Sequence, residues 1–481
     1  MKTPVVLRYV GEVLMLNAFF MFVSALIALF NDFDTGFYPL FLSFLFTTIL
    51  GYFPLIFVPA DQNMSAKEGY LIVVISWILS PLVGMLPYLI WGGEFTITNS
   101  WFESMSGYTT TGATILQDVE ALPKSLLFWR CTTHWIGGVG VVLFALVILP
   151  AIGKTKMTLS SVELSTIAKE NFRYTTRTIL RIILFTYCGL TFAETILLKI
   201  AGMDWFDAVC HSFSTLATGG FSTKNLSIMY YDNVWIEIVI MVFMVAGGTH
   251  FGLIYSSIVG KRNNLWRSEV VRYYYILLIA CSILVAANLI SNNIYTTIPE
   301  ALRYSTFQVI SYSSTTGFAS ANDAMWPSLS ILIMTFLAIQ CAMAGSTSGG
   351  MKADRVILLF KSLRAKVLTL QHPKAVVRIK LSGTAQEDTA VNGAILLITF
   401  YILCLFVSTL FLTFWDLDIL TSFTTTVAAI GNVGPGFGRV SNLENMSFFN
   451  DIQKLWITFI MLFGRLELFG LIHLFFLRSW K

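Results

Sequence analysis

The stretch Thr109-Thr110-Thr111-Gly112-Ala113-Thr114 is a short polar loop with one glycine, preceded by a short segment, Ser100 to Tyr108, and followed by a long apolar one. Alone it carries little weight. It recurs as Ala217-Thr218-Gly219-Gly220-Phe221-Ser222, as Ser314-Thr315-Thr316-Gly317-Phe318-Ala319-Ser320, and as Gly431-Asn432-Val433-Gly434-Pro435-Gly436-Phe437. With Gly112, Gly220, Gly317 and Gly434 taken as equivalents, the intervals are 108, 97 and 117 residues. Four similar loops at nearly regular spacing in an apolar chain read as four quarters of one pore.

The surroundings fit that reading. The 481 residues are 56% hydrophobic and 12% charged, about half the charge of a soluble domain, and the mean hydropathy is +0.73. Charge-free stretches such as Gly69 to Gly93, Cys131 to Gly153, Tyr273 to Ile298 and Met325 to Met351 exceed the ~20 residues that cross a bilayer as a helix. The chain reads as an all-α polytopic membrane protein. Its six cysteines are scattered singly with no C-x-x-C, and its five histidines form no H-x-x-x-H pair, which argues against a disulfide framework and a metal site. Met1 to Glu12 carries Lys2 and Arg8 but no small-residue cleavage site follows, so the first apolar run reads as a retained helix.

In order, Val13 to Asn31 and Gly36 to Ala60 form a helix pair, and Asp61 to Glu68 is a polar connection. A unit of spanning helix, half-length helix, glycine loop and spanning helix then repeats four times. Its parts are Gly69–Trp91, Ser100–Tyr108 and Leu126–Leu149; Ile179–Ile200, Asp204–Leu216 and Val234–Val259; Tyr273–Ile294, Pro299–Ser313 and Pro327–Met351; and Val391–Trp415, Leu417–Ile430 and Leu455–Leu477. That makes ten spanning helices and four re-entrant loops, divided as a helix pair at 1–68 and pore repeats at 69–153, 154–260, 261–360 and 361–481. Of the 31 basic residues, 23 fall on one side of this topology. By the positive-inside rule that side is cytoplasmic and holds both termini. The loops then enter from outside, and the four units are parallel repeats rather than inverted ones.

Non-helical backbone survives at membrane depth only when buried in protein or lining a watery cavity. Carbonyls turned toward a shared axis can replace the hydration shell of a small cation, and glycine reaches the backbone angles this requires. The half-helices would aim their partly negative C-terminal ends at the axis, and Thr110, Thr111, Thr218, Thr315 and Thr316 add hydroxyls. Small residues easing helix packing are the alternative for any single loop; four in register favour the pore. For Gly137-Gly138 with Gly140, and Gly247-Gly248 with Gly252, inside returning helices, packing is the better reading.

The T-T-T-G-A-T, A-T-G-G-F-S, T-T-G-F and G-N-V-G-P-G loops closely resemble those of the potassium-translocating membrane subunit of bacterial Trk-type uptake systems (TrkH/TrkG), within the Trk/Ktr/HKT superfamily. The resemblance covers nearly the whole chain, and the helix pair at Val13 to Ala60 looks like the Trk branch more than the Ktr branch. It implies K+ uptake, with Rb+ also carried, across a bacterial inner membrane by a homodimer. It also implies a filter of Thr110, Thr111, Gly112, Thr218, Gly219, Gly220, Thr315, Thr316, Gly317, Asn432, Val433 and Gly434. Gly219 and Gly220 compete as the second filter glycine; aligning Gly220-Phe221 with Gly317-Phe318 favours Gly220. The fourth loop departs most, with Asn432-Val433 where the others carry threonine or glycine, and one glycine per loop implies looser selectivity than in tetrameric potassium channels.

Two gate candidates follow. Ala344-Gly345-Ser346-Thr347-Ser348-Gly349-Gly350 either interrupts a helix at membrane depth or is an ordinary helix end before Lys352; the resemblance implies a loop that obstructs the pore below the filter. Arg465 near the middle of Leu455–Leu477 is an expensive intramembrane charge, either ion-paired to another helix or, as the Gly464-Arg465-Leu466-Glu467 resemblance implies, a cation barrier in the pore. The eight basic residues between Lys352 and Lys380 satisfy the positive-inside rule and anionic headgroups. By resemblance they also dock a cytoplasmic nucleotide-binding ring subunit (TrkA-like). No Walker A or G-x-G-x-x-G follows a strand here, so no cofactor is expected in this chain and NAD(H) or ATP would bind that partner. No nucleic-acid partner is expected. One rival is a secondary transporter, a symport coupling K+ to H+ or Na+, with Glu103, Asp207 and Glu194 as candidate titrating groups. The other is an intramembrane enzyme, for which no nucleophile–base pair or metal-ligand spacing exists.

Overall fold

A computed structural model of the chain describes residues 3–59, 66–151, 176–260, 264–375 and 377–466. The connection at Asp61 to Ser65, the basic segment from Lys154 to Thr175, and Glu467 to Lys481 lie outside the described residues. The apolar runs fold as helices, with strand confined, among the described residues, to a two-residue antiparallel pair (β1, Lys380–Leu381; β2, Thr384–Ala385). The helix pair is α1 (Thr3–Phe30) and α2 (Phe37–Phe57); α3 (Ala66–Gly84), α4 (Leu86–Trp91), α5 (Ile97–Tyr108) and α6 (Lys124–Ala151) follow. Next come α7 (Thr176–Ile200), α8 (Trp205–Leu216), α9 (Val234–Gly247) and α10 (Phe251–Val259), then α11 (Asn264–Arg267), α12 (Glu269–Ser291), α13 (Ile298–Ser313) and α14 (Ser328–Gln340). The chain continues through α15 (Ala353–Gln371), α16 (Asp388–Thr413), α17 (Ile419–Gly431) and α18 (Asp451–Arg465).

Among the described residues, six helical segments are long and apolar enough to cross a membrane, and a seventh if the bent pair α9–α10 counts as one. Their outward faces carry large exposed side chains such as Phe30, Phe46, Ile276 and Phe406, which only an apolar solvent tolerates in such numbers. Polar side chains are turned inward instead. Asn17 of α1 donates to Ser80 Oγ of α3 at 3.1 Å and accepts from Tyr108 Oη of α5 at 2.6 Å, fixing the helix pair to the interior.

Two expected continuous helices are broken. Val234–Val259 bends by 104° between α9 and α10, so Gly248 sits at a break and not at a packing contact within a helix. Pro327–Met351 stops at Gln340, where Cys341 takes φ +58°. The two breaks satisfy each other. The Gly247 and Gly248 carbonyls, freed by the bend, accept from Thr347 N and Met343 N at 3.2 Å each, and Gly345 O accepts from Phe251 N at 3.2 Å. These buried backbone groups thus regain partners after leaving their helices, as they must away from water. The packing reading does hold for Gly137 and Gly138, where a Cβ would overlap the Tyr108 carbonyl and crowd Ala217.

Candidate functional site

The four half-helices α5, α8, α13 and α17 are built alike. Each starts at a side-chain N-cap, Thr96, Asp204, Thr297 or Asp418, that accepts a backbone N–H of the first turn, the ordinary role of Thr and Asp there. Each ends in the same pair of backbone bonds. Thr111 N reaches Ser106 O at 2.9 Å, Gly219 N reaches Ser214 O at 2.8 Å, Thr316 N reaches Ser311 O at 3.0 Å, and Val433 N reaches Ala428 O at 2.9 Å. This is a Schellman closure, which needs one left-handed residue. Thr110, Thr218, Thr315 and Asn432 supply it, at φ of +51°, +55°, +64° and +53°. Asparagine tolerates that region, whereas a β-branched threonine there is an outlier; such strain gathers where surrounding structure enforces a functional geometry.

Two residues later the backbone is left-handed again, at Gly112, Gly220, Gly317 and Gly434, with φ between +75° and +96°. Here space as well as angle demands glycine. A Cβ on Gly112 would overlap the Gly219 carbonyl; one on Gly220, the Thr316 carbonyl; one on Gly317, the Val433 carbonyl; and one on Gly434 would lie 2.5 Å from the Thr111 oxygen. The four loops therefore touch in cyclic order, the fourth closing on the first. In the second loop Gly220 takes the left-handed angle and Gly219 offers its carbonyl to Gly112. The divergent fourth loop belongs to the same ring: Asn432 Nδ2 donates to Thr111 Oγ1 at 3.1 Å and to Met461 O at 2.9 Å.

Residues that follow the glycines, including Thr114, Ser222, Ser441 and Asn442, open on a cavity of about 130 Å³. Residues that precede them meet the 341–352 segment. Thr347 Oγ1 donates to Leu216 O at 2.8 Å, Gly349 N donates to Thr315 Oγ1 at 3.2 Å, and a Cβ on Gly349 would lie 2.5 Å from the Gly431 carbonyl. Ser346 and Ser348 bond each other at 3.1 Å, Lys352 Nζ donates to Ser348 O, and Gly350 takes φ +71°. The segment is closed at its neck: Ala353 N donates to Ala342 O at 2.8 Å and Ala344 N to an Asp354 carboxylate oxygen at 2.7 Å. Arg465 closes on it from the last turn of α18, donating to Thr347 O at 2.7 Å and Gly137 O at 3.1 Å, with Trp77 beside it. Both gate candidates are thus one contact.

Several site residues escaped the sequence reading. Arg130 is buried with Glu103 at 2.6 Å, and Arg303 of α13 holds Glu237 of α9 through two bonds of 2.8 Å. A charge beside or within an apolar stretch is a signal in itself, but partners so far apart in sequence have no spacing to read. Of the candidate coupling carboxylates, Glu103 is filled by Thr114, Ile115 N and Arg130, and Asp207 accepts from Thr223 and Tyr231 at 2.7 and 2.6 Å. Among the described residues no donor reaches a Glu194 oxygen within bonding distance, Thr215 of α8 being the polar group beside it.

Comparison with known proteins identifies the family. Residues 39–479 match the family model described as "TrkH: Cation transport protein". The Trk system potassium uptake protein TrkH of Escherichia coli K12 is 35% identical over 426 residues, covering 87% of each chain. TrkH of Vibrio parahaemolyticus is 32% identical over 99% of each. The crystal structure of the potassium transporter TrkH from Vibrio parahaemolyticus superposes with a TM-score of 0.89 at 30% identity, covering 98% of each chain. The chain, a multi-pass membrane protein, belongs to the TrkH family of cation transport proteins.

Proposed function

We propose that this protein carries K+ into a bacterial cell, with the four glycine loops as its selectivity filter. The observation that supports this most is the cyclic contact of Gly112, Gly220, Gly317 and Gly434 with the neighbouring loops' carbonyls. A ring of backbone oxygens offers a dehydrated cation the ligands it loses from water. In this reading the chain is a helix pair (1–68) and four parallel pore repeats (69–153, 154–260, 261–360, 361–481) with ten spans. The inner membrane holds it with both termini cytoplasmic. The 341–352 segment with Arg465 obstructs the path below the filter. A homodimer engages a cytoplasmic nucleotide-binding ring subunit through the basic region of α15, and Rb+ follows K+. The membrane potential alone supplies about 2.3 kcal/mol per charge per 100 mV for uptake.

The reversal potential of the purified protein in a planar bilayer, under opposed K+ and Na+ gradients, tests the proposal. A value near the potassium equilibrium potential is expected; a value near zero means a filter that does not select. A second reading, coupling to H+, is favoured by the buried Glu194 carboxyl of α7, beside Thr215 of α8 and, among the described residues, distant from any charged partner. Under it, the flux reverses away from the K+ equilibrium potential, at a value that shifts with pH, and Glu194→Gln abolishes that shift.

A further inference from the structure

We propose that Arg130, oriented by Glu103, is a positioning residue that locks the first two filter loops in register and sets the discrimination between K+ and Na+. The inference rests on the filter reading above. Glu103 is the residue nine positions before Gly112, and His211 stands nine before Gly220; both are fully buried behind the ring. Each braces the limb that leaves its own loop. Glu103 accepts from Thr114 Oγ1 at 2.9 and 3.0 Å and from Ile115 N at 3.1 Å. His211 Nδ1 lies 2.7 Å from the Asp207 carbonyl and must donate to it, which leaves Nε2 to accept the Ser222 hydroxyl at 2.9 Å.

Arg130 joins the two braces. Its Nε donates to Glu103 at 2.6 Å, its terminal nitrogen donates to the Ser222 carbonyl at 3.1 Å, and its guanidinium lies 3.5 Å from the Phe221 ring centre. One fork therefore grips the first loop through a carboxylate and the second through a carbonyl and an aromatic face, from the helix that returns from the first loop. Three donors, Thr114 Oγ1, Ile115 N and Arg130 Nε, converge on this carboxylate, so Glu103 acts as a brace for the loop. Loops three and four are joined by other means: Tyr312 stacks on Phe437 at 5.4 Å. The charged brace is confined to loops one and two, where a shift of Ser222 carries Gly219 and Gly220 against Gly112.

The test uses the full chain with two variants. Arg130→Lys keeps a cation for Glu103, but an ammonium cannot also reach Ser222 in the fork geometry. Glu103→Gln with Arg130→Gln removes both charges together, avoiding the lone buried charge that unfolds such sites. Membrane yield and melting temperature are read beside the Na+-to-K+ permeability ratio. The expected result is a rise in that ratio of about tenfold, the scale of one lost charge-assisted hydrogen bond, in protein that still assembles. Lower yield or melting temperature with the ratio unchanged would mean a purely structural pair and overturn the proposal. If the parent protein itself fails to select K+, the filter reading falls first, and this inference with it.

Discussion

At the residue scale, the ring is enforced by single atoms. Gly317 takes φ +75° with the Val433 carbonyl where a Cβ would stand. A left-handed angle costs a non-glycine residue roughly 1–2 kcal/mol before any clash. Gly317→Ala is therefore expected to cut Rb+ uptake at least about tenfold, while Gly393→Ala, with nothing near its Cβ, leaves it unchanged; equal effects of the two would remove the steric argument. Asp323, in the link between α13 and α14, is a second such residue. Burial pushes its carboxyl up to about 7 because the ionised form loses hydration, against the opposing pull of Tyr312, which donates to one oxygen at 2.8 Å. The folded chain keeps this proton at pH values where the unfolded chain, titrating near 4, has released it. Its stabilising contribution is complete below about pH 4 and lost as pH rises through about 7. Melting temperature should fall across that window in the parent and less steeply in Asp323→Asn; identical slopes would contradict the assignment. The threonines of the loops were legible as polar residues beside glycine, but their left-handed angles were not, since residue type argues against them.

At the element scale, the half-helices were the most readable parts. Their N-caps and glycine punctuation are local signals, and the expected ends agree with the observed ones within three residues. The breaks in α9–α10 and after α14 were less readable, because each is stabilised by the other across about a hundred residues of chain. A glycine pair reads equally as packing or as a break until its freed carbonyls find donors. The 341–352 segment is held by Thr347, Gly349, Asp354 and Arg465. If it obstructs the path, deleting Gly345–Gly349 raises basal flux in proteoliposomes, and Arg465→Ala raises conductance or lowers selectivity. Unchanged flux after the deletion would leave the segment a structural plug between helices. Arg465→Ala that lowers only expression would return that arginine to a structural role.

At the scale of the whole molecule, the basic residues and the apolar exterior carry the larger argument. The region of α15 and the strand pair is tied to α12 by Lys361, which donates to Glu269 at 2.7 Å and to the Lys380 carbonyl at 2.6 Å, while Ser382 N donates to Glu269 at 3.0 Å. Because α15 begins at the neck of the 341–352 segment, a partner docked on the basic residues of this region would act on that neck. Neutralising Arg364, Lys366 and Lys374 together should abolish co-purification of a nucleotide-binding ring subunit without altering detergent-solubilised oligomer size; retained binding would place the docking surface elsewhere. Composition and the length of apolar runs determined by themselves that this chain is a helical membrane protein, because the bilayer admits few other solutions. The recurrence of the glycine loops marked which residues meet in the interior. Only the tertiary structure decided that the four loops close in a ring, that Gly220 and not Gly219 is the left-handed member, and that Arg130 and Arg465 each grip backbone from distant segments. Those outcomes depend on carbonyls and charges meeting across hundreds of residues, where no sequence period exists to announce them.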